Sequence, residues 1–141
     1  MNSSTDKNEI FILIAIIFVI TYSVSIIWNT LLTDNLTEIA HHFHTTKFYT
    51  LLIGGGVYLI ISAIMVNIYV FAFAEKRPIF NSIFYGFLFG FALFLVSTLM
   101  GLFPHHNENL ISYLYDAIRI ISEQIIGAIC LGLILVRIKD A

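Results

Sequence analysis

Four apolar runs, at about residues 10–32, 51–74, 79–103 and 111–136, dominate this sequence. A helix rising about 1.5 Å per residue needs about 20 residues to cross a hydrocarbon core of roughly 30 Å. Each run meets that length, so the expected fold is all-α: four membrane helices joined by short connections. Short connections make neighbouring helices antiparallel, giving one up-down bundle and a single transmembrane domain over residues 1–141.

Composition points the same way. Hydrophobic residues make up 59% of the chain and charged residues 11%, with a mean hydropathy of +0.92. A soluble domain carries charge on about a quarter of its residues because its surface faces water. This chain lacks that charge, so lipid is its expected surround. A formal net charge of −2 gives no basis for nucleic acid as a partner. Cys130 is the single cysteine, which excludes an intrachain disulfide and a thiolate metal cage.

Ser23-Val24-Ser25 has the small-x-small look of a signal cleavage site. The apolar run before it exceeds a signal core of about 7–15 residues, and is read as a membrane helix. Orientation follows from the cations. Lys7, Lys76, Arg77, Arg137 and Lys139 flank the runs on one side, and Lys47 is the lone cationic loop residue on the other. Both termini are then expected in the cytosol, the loops 33–49 and 104–110 outside, and the protein in the plasma or inner membrane.

Lipid supplies no hydrophobic drive between helices, so small residues must let backbones approach. The third run carries such a stripe in Ser82, Gly86, Gly90, Ser97 and Gly101, with Gly86 and Gly90 forming a GxxxG pair. The second offers Gly56, Ala63, Asn67 and Ala74. These stripes either hold the bundle together or dock a helix of another protein. Phe84, Phe87, Phe91 and Phe94 are expected to fill gaps or face lipid.

The fourth run is less clean. Asp116, Arg119 and Glu123 fall at i, i+3 and i+7, which places all three on one helix face, and Gly127 continues it. Ionisable groups at such depth cost on the order of 2.5–3.5 kcal/mol each on insertion scales, so they rarely point at lipid. The face is expected to turn inward, toward water, or toward a partner. The three could satisfy one another as inert glue, aided by Gln124. They could also form a carboxylate site for a cation or proton, because Arg119 cannot neutralise both acids.

All five histidines lie in the two outward loops: His41, His42 and His44 in one, His105 and His106 in the other. Neutral imidazole suits copper, zinc or nickel, and Glu38, Glu108, Asp116 and Met100 could complete a shell. The spacing matches no zinc signature, and solvated interfacial histidines would look the same.

No nucleophile elbow, phosphate loop or dinucleotide fingerprint is present, so no catalytic activity of its own is expected. The first functional reading is a small accessory subunit of a larger membrane complex, such as a metalloenzyme or redox complex, with other membrane subunits or further copies of itself as partners. The alternatives are an outward-facing handler of copper or zinc using the loop histidines, and a small ion or proton carrier using the charged stripe.

Overall fold

In hydrocarbon a backbone N–H or C=O finds no water, so a spanning segment must satisfy its own hydrogen bonds, and a helix does this within one segment. The computed structural model describes residues 7–32, 40–41, 44–72, 78–101 and 110–140. Its long elements are helices α1 (Lys7–Ile27), α2 (Lys47–Ala72), α3 (Pro78–Leu99) and α4 (Leu110–Asp140). All four are long and apolar enough to cross a membrane, so the chain is a multi-pass membrane protein by length and composition.

The ends of the helices have local causes. α1 widens into a π-helical turn over Trp28–Leu32. There Asn29 Nδ2 donates to Ser25 O at 2.9 Å and Thr30 Oγ1 to Ile26 O at 2.6 Å. Such side-chain bonds compete with the regular backbone ladder. α2 begins at Lys47, ahead of its apolar run, because Thr46 caps it: Thr46 Oγ1 accepts from Tyr49 N at 3.3 Å. α3 stops at Leu99, short of the expected Phe103. Gly101 follows in the left-handed region at φ 66°, and its N–H bonds to Thr98 O at 3.1 Å. Only glycine takes that conformation without a Cβ penalty.

The outer surface is unlike a soluble protein's. Phe11, Phe71, Phe80 and Ile111 are 70% or more exposed, and Phe84, Phe87 and Phe91 also lie on the outside. Inside sit Thr21, Ser25, Ser62, Ser82, Asp116, Arg119, Glu123 and Gln124. An apolar exterior over an interior that also holds polar groups is stable where the surroundings are lipid.

α3 and α4 make the most extensive contact, and α1 packs on both α2 and α4. The core holds Leu13 and Ile17 of α1, Met65, Val66 and Tyr69 of α2, Tyr85 of α3, and Ala128, Leu131 and Leu135 of α4. α2 and α3 are tied by hydrogen bonds at one level: Tyr69 to Ser82 at 2.6 Å, and Tyr85 Oη to Met65 O at 2.8 Å. The buried face of α2 is Ser62, Met65, Val66 and Tyr69, so the small residues expected to form its packing stripe do not do so. Gly56 is exposed with open space around its Cα, and Asn67 Nδ2 turns back to Ala63 O of its own helix at 2.7 Å. Larger side chains shape this interface because the polar ties of Ser62 and Tyr69 set its register. Ala74 lies outside the described residues.

Candidate functional site: a polar stripe beside an intramembrane cavity

The i, i+3, i+7 spacing on α4 brings Asp116, Arg119 and Glu123 to one face, and that face is buried. Glu123 has no exposed surface at all. Arg119 reaches Asp116 Oδ1 at 3.9 Å through Nη2 and Glu123 Oε1 at 3.6 Å through Nη1. Nη1 also donates to Asn29 Oδ1 of the π-helical turn at 3.4 Å. These are long contacts, since a guanidinium–carboxylate hydrogen bond closes to about 2.7–2.9 Å. A short bond joins the cluster to α2, where Tyr58 Oη donates to Glu123 Oε2 at 2.6 Å.

The stripe therefore links three helices: α4 to α1 through Asn29, and α4 to α2 through Tyr58. Tyr58 is further positioned by Tyr22, whose ring lies 5.5 Å away and whose hydroxyl donates to Leu51 O. Hydrogen-bonding capacity is left over. Arg119 Nε, Glu123 Oε1 and Gln124 Oε1 are buried with no hydrogen-bond partner among the described residues. A buried polar group in that condition is unusual and costly.

Beside this cluster lies a cavity of about 560 Å³. Its wall is largely apolar, with Ile26, Leu51, Ile53, Val57, Ile61, Leu93 and Ile120, and its polar groups include Ser25, Asn29, Tyr58, Ser97, Arg119 and Gln124. All four helices contribute, and Ser97 of the α3 stripe lies on this wall. An apolar chamber with a few convergent polar groups has the form of a small-molecule site, and its volume falls in the usual range of about 300–1,000 Å³.

No family model, curated protein or solved structure matches this chain.

Gly86 and Gly90 sit on the α3–α4 seam. A Cβ at Gly86 would stand 2.6 Å from Ile125 Cα, and one at Gly90 2.7 Å from Ile121 Cα. Both glycines thus face α4 of the same chain. Gly127 faces α1, with Thr21 Cγ2 2.6 Å from where its Cβ would be. The histidines are placed only in part. His41 and His44 are exposed in one tight turn, with His44 N bonded to His41 O at 3.1 Å and His44 at φ 52°. His42, His105 and His106 lie outside the described residues, as do Glu38 and Glu108. Among the described residues no group of three or more His, Cys, Asp or Glu is gathered to hold a metal.

The cavity and the roles of Asn29 and Tyr58 were not apparent from the sequence. Tyr58 stands in an apolar run eleven residues after the start of α2 and carries no local mark. The signal available was indirect: a buried Glu demands a donor, and Tyr58 is one of the few donors on α2.

Proposed function

We propose that this chain is a small intramembrane binding protein of carrier type, and that the cavity between its four helices is the site. In this reading the bundle is up-down and antiparallel with both termini in the cytosol, as the cation distribution supports. The observation that carries the reading is a buried guanidinium, held by long contacts among the described residues, at the wall of an apolar chamber of about 560 Å³. A buried arginine used only as structural glue would be expected to close on its carboxylates. One that keeps donors in reserve beside a chamber is suited to a solute with an apolar body and a polar end.

The chemistry is binding and passage. Asp116 and Glu123 hold the guanidinium in place, Tyr58 and Asn29 fix the stripe to α2 and α1, and the apolar wall receives the body of the solute. The accessory-subunit reading rests on the small size of the chain. It loses part of its motivation because Gly86 and Gly90 are used against α4 of the same molecule. Outward metal handling rests on the five histidines and remains a separate proposal.

Native mass spectrometry of the protein released from lipid nanodiscs tests the binding reading. Gly54→Leu supplies the control: Gly54 lines the cavity, and a Cβ there meets only the Tyr22 ring at 3.8 Å, an ordinary contact. The wild type should carry a small-molecule adduct that Gly54→Leu loses while keeping its helical circular dichroism. Equal adducts on both proteins, or none on either, would overturn the reading. Co-isolated protein chains with an adduct-free cavity would favour the accessory role.

A further inference from the structure

The walls of the chamber are unequal, and the difference bears on how a ligand reaches it. Among the described residues α1 packs on α2, and α4 packs on both α1 and α3, whereas α2 and α3 make no extensive contact. The hydrogen bonds of Tyr69 with Ser82 and of Tyr85 with Met65 tie these two helices toward the end of α2 and the start of α3. Counting from Met65 and Tyr85 in steps of four, along the antiparallel pair proposed above, sets Val57 opposite Leu93 and Ile53 opposite Ser97. All four line the chamber. Ile53 and Val57 are nonetheless 59% and 48% exposed, which places them at its mouth. Their neighbours Ile60 on α2 and Val96 on α3 are apolar and exposed, so the mouth opens on lipid. Resting on the binding reading above, we infer that the ligand is an acyl chain of a bilayer phospholipid, which enters sideways through a slot between α2 and α3.

Length and polarity fit that occupant. The α2 wall runs over residues 50–61, about 16 Å of helix, which is one leaflet of a hydrocarbon core of roughly 30 Å. In the orientation proposed above that leaflet is the outer one. Thr30, Thr45 and Thr50 line the chamber at its outer end, with Thr45 Oγ1 and Thr50 Oγ1 2.6 Å apart. Below them Ile26, Val57, Ile61 and Leu93 present aliphatic surface. The chamber thus repeats the polarity of a lipid, polar at the interface and apolar beneath. A slot open along its side admits a chain whose head stays in the interface. A solute arriving from water would pass the threonines and leave the slot without a role.

The test uses a phosphatidylcholine with a diazirine midway along one acyl chain, in nanodiscs holding the full-length protein. Crosslinks are mapped by peptide mass spectrometry. The residue to watch is Ile120, which lines the chamber from α4 and is only 8% exposed. A chain that stays outside the bundle does not reach it. The lipid should label Ile120 and spare Leu131, which is wholly buried and off the chamber wall. Outward Ile118, at nearly the same depth, reports contact with the surrounding bilayer.

Val57→Trp narrows the slot at a position outside the packed core, and should lower Ile120 labelling about tenfold by crowding the entering chain. Leu59→Trp, on the exposed face of α2 away from the chamber, should leave Ile120 labelling unchanged. Ile118 should be labelled equally in all three proteins, which also shows that the fold is intact. Equal Ile120 labelling in wild type and Val57→Trp, or an equal loss in Leu59→Trp, overturns the slot as the route. If the phospholipid leaves Ile120 unlabelled while a diazirine-bearing butanol added from water labels it, the phospholipid inference falls and the binding reading stands. Ile120 labelled by neither probe overturns both.

Discussion

Replacing Gly86 by alanine tests the reasoning about the α3–α4 seam most directly. The added Cβ would lie 2.6 Å from Ile125 Cα, 2.9 Å from Gln124 O and 3.0 Å from Ala128 Cβ. Two of those three atoms are backbone, so no rotamer change relieves them. The first contact is about 0.8 Å short of the 3.4 Å at which ordinary contact begins, so one helix must move by roughly that amount. A radial gap of about 0.5–1 Å forfeits a quarter to a half of the dispersion energy of the atoms it separates. Overpacking of this kind costs about 1–3 kcal/mol.

Gly56 is the control, because nothing lies within 4 Å of its added Cβ. There alanine removes only chain freedom from the unfolded state and should be neutral or stabilising by about 0.4–1 kcal/mol. Gly90→Ala should cost about as much as Gly86→Ala, since its Cβ meets Ile121 Cα at 2.7 Å. One helix displacement accommodates both, so the double variant should cost less than the sum. The assay is reversible unfolding in mixed micelles titrated with sodium dodecyl sulfate, read by circular dichroism. If Gly86→Ala proves as stable as Gly56→Ala, the seam is not close-packed and the reasoning is wrong.

Three further outcomes are expected in the same assay. Tyr58→Phe removes the 2.6 Å donor to Glu123 and should cost about 1.5–3 kcal/mol, most of it absent in a Glu123→Gln background, as a double-mutant cycle would report. Arg119→Met strands two buried carboxylates without their cation and should cost about 3–5 kcal/mol, with recovery when Asp116→Asn and Glu123→Gln are added. Failure of the triple variant to recover would mean that the arginine acts through packing instead. Gly127→Ala drives a Cβ into Thr21 Cγ2 at 2.6 Å and should be destabilising by about 1–3 kcal/mol. Thr21→Ser deletes that methyl while keeping a hydroxyl for the 2.8 Å bond to Ile17 O, and should restore most of the loss.

Periodic features were legible in the sequence, and features that depend on which helices meet were not. Apolar runs of span length mark four helices because bilayer thickness and helix rise are both fixed. The shared face of Asp116, Arg119 and Glu123 needs only the helical period. The positions of Gly86 and Gly90 mark a place where a backbone can come close, but GxxxG spacing does not say whose. The second run shows the limit: Gly56, Ala63 and Asn67 have the right periodicity, yet Ser62, Met65, Val66 and Tyr69 face inward. Hydroxyl partners across helices set that rotation, as in Tyr69 with Ser82 and Thr21 beside Ser62 at 3.5 Å, and pairings of that kind leave no pattern along one chain. The cavity is less legible still, because it is defined by where four helices fail to touch.

The unequal burial of the four spans has a consequence for how the protein is made. Half of the apolar window of α4 is inside the bundle, against 22%, 17% and 22% for the first three. α4 is also the last of the four to leave the ribosome. Until it arrives, α3 lacks the neighbour against which its glycines fit, and Tyr58 and Asn29 wait in lipid for Glu123 and Arg119. The least apolar span is therefore inserted into a membrane where its polar partners already stand, so the assembly step of biosynthesis is the docking of α4. Substitutions along its buried face should show first as loss of the newly made chain to membrane quality control.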